Sequence, residues 1–229
     1  MPPRILYQEF ARQAERELGA FVSNNLWQLG KYRSNFTSAL ALFDFAYSNR
    51  RDADDNLSPT HLDWMSIAAR DGAMMLYHFG MTIRSFDGML KNAPCLAKST
   101  DTKLLNEGKE FFEKSFADYY DVRQGVAHLA DNSKTPESLQ RHGITESSPF
   151  VQIIGDASQF PVYFNGMLSD RKLWATVKGK TVWYELSAES LQKLEEAEKI
   201  VYQAFANVEK DTWAMLRKRE QNGDPLPDG

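Results

Sequence analysis

Two side chains that could act together on a phosphodiester lie five positions apart in the middle of the chain. Arg123 and His128 fall within residues 119–131, which read YYDVRQGVAHLAD. Histidine titrates near neutral pH and can carry a proton, whereas arginine presents a permanently charged planar fork to phosphate oxygens. No other part of the sequence combines residue types in this way, so the pair is the main candidate for a chemical centre.

The segment around this pair is predicted to be a short helix, because its apolar residues supply one face that can be buried. Five residues correspond to about 140° of rotation on an ideal helix, so Arg123 and His128 do not share one stripe. Arg123 must therefore wrap round the helix, Gly125 must loosen the turn, or a second subunit must complete the site. In the structural alternative, Arg123 pairs with a nearby aspartate and His128 packs against the bundle.

A second group of polar residues lies on a long predicted helix. Asp71 and His78 are seven positions apart and therefore lie on the same side of that helix. Together with Arg84 they could form an alternative ligand or phosphate site. The competing interpretation is a solvated polar flank in which Arg84 pairs with an acid elsewhere.

The sequence contains no pattern typical of a metal or cofactor site. The four histidines are scattered, without His-x3-His or Glu-x2-His spacing, and there is no glycine-rich phosphate loop. We therefore expect neither a metal nor a cofactor.

Aromatic and basic residues alternate in a predicted hairpin near residues 172–186. Such interleaving could stack on single-stranded RNA and hold it, although a small sheet of this kind more often covers the core with one face. The residues concerned are Lys172, Trp174, Lys178, Lys180, Trp183 and Tyr184.

Bulk properties describe an ordinary globular chain. Its 229 residues carry a formal net charge of −4, with 42% hydrophobic and 25% charged residues. This balance argues against a generally basic nucleic-acid-binding protein. A single cysteine, Cys95, excludes an intrachain disulfide. We expect a cytoplasmic protein with no signal peptide and no membrane span.

Hydrophobic periodicity predicts a mainly α protein: an antiparallel helical bundle with a small antiparallel β insertion before the last long helix. The helices are expected at 4–29, ended by Gly30, and at 34–47, 60–90, 103–116, 123–128 and 187–219. The strands are expected at 150–154, 161–164, 172–177 and 181–186. Residues 1–219 would form one domain, with the insertion at about 150–186 and a disordered tail at 220–229.

A helical bundle with Arg-x4-His in a late helix, following an aromatic and acidic segment, resembles the HEPN superfamily (higher eukaryotes and prokaryotes nucleotide-binding domains). The resemblance covers residues 60–131 and extends to the final helix, but it does not account for the inserted sheet. The residue after the arginine is Gln124, where the family usually has Asn, Asp or His.

Membership in this family would imply a metal-independent ribonuclease of toxin or defence type. His128 would act as general base to a ribose 2′-hydroxyl or as acid to the leaving oxygen, and Arg123 would hold the scissile phosphate. Gln124 would orient the phosphate or His128, and Tyr119 or Tyr120 could stack on a base.

Partners implied by the resemblance are an RNA substrate, a second copy of the chain and an antitoxin. The rival hypotheses are a non-catalytic helical module that binds a nucleotide, small ligand or protein, and a structural oligomer without a site.

Overall fold

The computed structural model describes residues 1–5, 13–52, 55–127, 134–144 and 162–222. Within these ranges the chain forms eight helices and one three-stranded antiparallel sheet, which confirms the predicted fold class. The helices are α1 (Gln13–Ser48), α2 (Pro59–Lys91), α3 (Pro94–Ser99), α4 (Thr102–Ser115), α5 (Tyr119–Ala127), α6 (Pro136–His142), α7 (Ala188–Ala204) and α8 (Ala206–Asn222). The strands are β1 (Asn165–Ser169), β2 (Lys172–Val177) and β3 (Lys180–Glu185).

The first helix is continuous, so the predicted end at Gly30 and the separate helix at 34–47 are wrong. A Cβ atom at position 30 would lie 3.0 Å from the Tyr202 hydroxyl and 3.1 Å from a carboxylate oxygen of Glu198. Glycine at position 30 therefore accommodates the close approach of two α7 side chains and does not mark a helix end.

The predicted final helix is two helices, which meet at Phe205. The Ala204 carbonyl accepts a hydrogen bond of 2.8 Å from the backbone N–H of Asp101. Phe205 is fully buried, and its ring centroid lies 5.3 Å from that of Phe86. The helix therefore breaks after Ala204, where the Asp101 N–H binds the Ala204 carbonyl and the Phe205 side chain is buried in the core. Helix α8 extends to Asn222, beyond the start predicted for the tail, and residues 223–229 lie outside the described ranges.

The hairpin lies where it is predicted, with β2 at the expected residues. Lys178 and Gly179 have φ of 52° and 74°, the geometry of a two-residue type I′ turn. The strand before it occupies Asn165–Ser169 rather than 161–164, and residue Val162 forms only an isolated bridge with Ile144. The predicted strand at 150–154 lies outside the described residues.

The chain divides into two compact units. The first contains Met1–Arg33, His78–Ser115 and Lys193–Gly229. Its core includes two aromatic pairs, Phe79 with Phe112 and Phe86 with Phe205, each with ring centroids 5.3 Å apart. These large buried rings supply much of the apolar surface that stabilises this unit.

The second unit contains Ser34–Tyr77 and Phe116–Gln192. One face of its sheet is buried, and Tyr184 on that face donates its hydroxyl to the Ala69 carbonyl of α2. A Cβ atom at Gly72 would lie 2.5 Å from this hydroxyl, so the glycine makes room for the contact. Helix α5 also packs on the sheet, and Gly125 of this helix lies against Ala175 and Val177 of β2.

None of the helices in the described ranges combines the length and the apolar composition needed to cross a bilayer.

Candidate functional site

Helix α5 presents one face to the sheet and leaves Tyr120, Arg123 and Gln124 on its flank. Its buried residues recur at helical spacing: Tyr119, Val122, Gly125 and Val126. Arg123 and Gln124 lie between them and are half-buried, whereas the Tyr120 ring is 40% exposed. Because Gly125 has no side chain, the helix approaches β2 closely, and this contact fixes the direction in which its flank faces.

Arg123 packs on an aromatic ring from α2. Its guanidinium carbon lies 4.8 Å from the centroid of the Tyr77 ring, a cation–π contact. The Tyr120 ring lies 5.8 Å from the same ring, tilted by 49°. We call these three residues, Tyr77, Tyr120 and Arg123, the α5 cluster.

Tyr77 is the site residue that the sequence does not predict. It lies on a different helix from Arg123, and only tertiary packing brings the two side chains together. The one feature of the sequence that points to Tyr77 is its position next to His78 on a polar flank of α2. That position does not indicate that Tyr77 contacts Arg123.

The predicted residues around Arg123 have different environments. Tyr119 is buried, with 4% of its surface exposed, so Tyr120 is the tyrosine of this pair with an accessible ring. Gln124 is half-buried beside Arg123. His128 lies outside the described residues, one position beyond the end of α5.

Acidic residues lie at the start of the same helix. Burial raises the pKa of the Asp118 carboxyl above its ordinary value, and the nearby charge of Asp121 raises it further. Lys180 and a hydrogen bond from the Trp183 backbone oppose this rise in pKa. Asp118 therefore contacts the edge of β3 and brings negative charge to this end of α5.

The residues of the alternative site, Asp71, His78 and Arg84, interact with different neighbours. The His78 ring stacks on Tyr32, with centroids 5.5 Å apart, and Arg84 donates a 2.9 Å hydrogen bond to Glu113. Burial raises the pKa of Asp71, which lies in the second compact unit, whereas His78 and Arg84 lie in the first. The Arg84–Glu113 ion pair is the arrangement expected for a solvated polar flank.

The hairpin presents its aromatic residues on two faces. Trp174 and Trp183 are paired across β2 and β3 with ring centroids 5.6 Å apart, and the Lys172 ammonium lies 4.4 Å from the Trp183 centroid. Tyr184 lies on the opposite, buried face and is held by its hydrogen bond to α2. Only the tryptophans and Lys172 thus remain together as an aromatic and basic surface.

No group of three or more His, Cys, Asp or Glu side chains in the described part of the chain is arranged to hold a metal ion. The fold and site together define a mainly α protein with a small antiparallel sheet, on which a short helix carries a cation–aromatic cluster. Comparisons of the chain with protein-family profiles, with curated proteins and with solved structures gave no match.

Proposed function

We propose that this chain is a metal-independent endoribonuclease of the HEPN type, which uses Arg123 and His128 on a phosphodiester. The single observation that carries the proposal is the α5 cluster, in which Arg123 lies over Tyr77 and beside the exposed ring of Tyr120. A cation and aromatic rings that lie together beside one short helix are residue types with which proteins commonly bind single-stranded RNA.

Stacking on Tyr77 is compatible with phosphate binding. A guanidinium that packs its flat face on a ring keeps its N–H groups in the plane of the fork, where they can donate to phosphate oxygens. The tyrosine also restricts the rotamers of the long arginine side chain. Arg123 would thereby be held ready for a phosphate while Tyr120 stacks on an adjacent base.

The proposed reaction is a transesterification within the RNA strand. The ribose 2′-oxygen attacks phosphorus and loses its proton to a base, the bond to the 5′-oxygen breaks, and the leaving oxygen gains a proton. His128 would act as the base or as the acid in this step, and Arg123 would stabilise the negative charge that develops on the phosphate. The products are a 2′,3′-cyclic phosphate and a free 5′-hydroxyl, without any need for a metal.

A non-catalytic binding module is the second candidate, and one observation favours it. The Arg123 side chain is half-buried and already packed on Tyr77, which would also suit a structural role. In that case the α5 cluster would bind a nucleotide or an RNA strand without cleaving it.

The proposal includes a homodimer, since a second copy would allow two such helices to form one cleft. An exposed aromatic cluster in the second unit supports association: the Phe45 and Trp64 rings lie 6.1 Å apart, with His61 5.3 Å from Trp64. Phe45 is 54% exposed and Trp64 is 37% exposed. Burying such rings between two copies would remove apolar surface from water.

The ribonuclease proposal predicts cleavage of a mixed-sequence single-stranded RNA in the presence of EDTA. His128→Ala should lower the rate by about 10²- to 10⁴-fold, the usual contribution of a general acid or base. Arg123→Ala should lower it by about 10²- to 10³-fold, because a charge-stabilising donor is lost. Cleavage is measured on denaturing gels, and the product ends are tested for the cyclic phosphate.

The matched control is Arg217→Ala, which removes the same residue type as Arg123→Ala from an exposed position on α8. It should cleave like the wild type. Equal cleavage by all four proteins would point to a contaminating nuclease, and tight RNA binding without cleavage would favour the binding module. Circular dichroism of each variant establishes that the fold is intact.

A further inference from the structure

A group of basic side chains meets at the tip of the β2–β3 hairpin. The backbone N–H of Lys178 donates a 3.3 Å hydrogen bond to Nδ1 of His142, at the end of α6. A Cβ atom at Gly179 would lie 3.8 Å from the Gly143 carbonyl oxygen, so the turn and the end of α6 are in contact. We call Arg141, His142, Lys178 and Lys180 the hairpin-tip cluster.

Two of the four members of this cluster carry a positive charge that has no ion-pair partner in the described part of the chain. Within the described ranges neither Arg141 nor Lys178 forms an ion pair, and both side chains are exposed. Burial lowers the pKa of His142, and the charges of Arg141 and Lys178 lower it further. Lys180 lies near Asp118 and is partly compensated, so the uncompensated charge belongs mainly to Arg141 and Lys178.

This concentration of charge stands out in a chain whose formal net charge is −4. A positive surface on an otherwise acidic protein attracts anions locally without making the whole protein bind nucleic acid indiscriminately. The type I′ turn also holds Lys178 in a left-handed conformation, with φ of 52°, which fixes the direction in which the residue leaves the sheet.

The hairpin tip lies close to helix α5, which carries Tyr120 and Arg123 of the α5 cluster. A Cβ atom at Gly125, two residues after Arg123, would lie 3.1 Å from Cγ2 of Val177. Val177 immediately precedes Lys178, and consecutive Cα atoms are about 3.8 Å apart. The turn is therefore on the order of 10 Å from α5, a separation that a short oligonucleotide can span.

We propose that the hairpin-tip cluster binds the phosphate backbone of a single-stranded RNA whose neighbouring nucleotides occupy the α5 cluster. The proposal rests on the proposed function, because it assigns the path of the same substrate. The arginine fork and the lysine ammonium group are the usual ligands of phosphate oxygens, and neither contact depends on base sequence. RNA is favoured over an acidic peptide by the aromatic rings of the adjacent α5 cluster, on which bases can stack.

The test measures binding of a short fluorescein-labelled single-stranded RNA by the full chain carrying His128→Ala, at several salt concentrations. The double variant Arg141→Gln with Lys178→Asn removes two charges, and asparagine tolerates the left-handed conformation at position 178. Each phosphate contact to a single strand contributes about −0.7 to the slope of log Kobs against log salt. Losing both contacts should therefore make this negative slope shallower by about 1.4 and weaken binding on the order of tenfold at low salt.

The matched control is Arg217→Gln with Lys218→Asn, which makes the same two replacements on exposed residues of α8. It should leave both the affinity and the slope unchanged. Equal effects of the two double variants would show that only net charge matters and would overturn the proposal. So would displacement of the RNA by poly-glutamate at equal charge concentration, which would indicate an acidic peptide site.

Failure of this proposal is distinguishable from failure of the ribonuclease. Cleavage in EDTA with normal binding by the Arg141/Lys178 variant would retain the ribonuclease and reject the hairpin tip. Binding that depends on the hairpin tip, without cleavage by the wild type, would retain the hairpin-tip site and reject the ribonuclease. Absence of RNA binding by the parent protein would overturn both.

Discussion

Gly125 is the residue that most directly ties the candidate site to the fold. It lies two positions from Arg123, and a Cβ atom there would come within 2.5 Å of the Ala175 Cβ. Since a Cβ atom cannot rotate away, α5 can reach its observed position on the sheet only with glycine at 125. The glycine therefore serves close packing, which in turn sets where the Arg123 flank faces.

Gly125→Ala should destabilise the protein by about 1–2 kcal/mol, because overpacking of about 1–3 kcal/mol is partly offset by the better helix propensity of alanine. The matched control is Gly88→Ala in α2, where a Cβ atom would meet no heavy atom within 4 Å. This change should stabilise the protein by about 0.5–1 kcal/mol. Chemical denaturation measures both, and equal effects of the two changes would contradict the close packing of α5.

One contact between α6 and the hairpin is a hydrogen bond that a histidine accepts. His142 can accept the Lys178 N–H at Nδ1 only when that nitrogen is unprotonated. The pKa of His142 is lowered by burial and by the charges of Arg141 and Lys178, so the folded protein favours the neutral ring. A short helix and a two-residue turn are thereby joined by an interaction that responds to pH.

Lowering the pH should weaken this contact. Because the folded pKa lies below the ordinary histidine value of about 6.5, the unfolded chain binds the proton first. The contribution of His142 to stability is therefore full above about pH 6.5 and is lost as the pH falls through the folded pKa. His142→Asn keeps an acceptor and does not titrate, so the wild type should lose stability relative to this variant on acidification.

The measurement is thermal unfolding of both proteins between neutral and mildly acidic pH. Taking the difference between the two curves removes the contribution of all other titrating groups. Parallel curves would show that His142 has no role in linking stability to pH.

At the scale of the whole molecule, the proposed dimer is the property most open to test. The exposed cluster of Phe45, His61 and Trp64 includes two large apolar rings in contact with each other. Phe45→Ser with Trp64→Ser should shift the protein towards the monomer, because the apolar surface that drives association is lost. Sedimentation equilibrium measures the change.

The matched control is Phe21→Ser with Trp27→Ser on α1, which alters the same residue types with exposed fractions of 58% and 54%. These two residues are six positions apart and point in directions about 120° apart, so they do not form one cluster. The control should retain the dimer. A wild-type protein that is monomeric at all concentrations, or a dimer lost only in the control, would contradict the assignment.

Much of the fold could be predicted because its signals are local. The apolar stripe of α2, its start at Pro59 and the Lys178–Gly179 turn each follow from residues adjacent in sequence. The start of α7 follows from the same kind of local chemistry, since the Ser187 hydroxyl accepts the Ser190 N–H at 3.2 Å. Local preferences decide such features before any long-range contact forms.

The sequence by itself determined the mainly α class, the hairpin and the placement of Arg123 on a short helix. The tertiary structure alone decided that α1 continues through Gly30, that a break follows Ala204 and that Tyr77 meets Arg123. In each of these cases the deciding contact joins residues far apart along the chain. Helical periodicity records which face of an element is buried, but it carries no information about which distant side chain will cover that face.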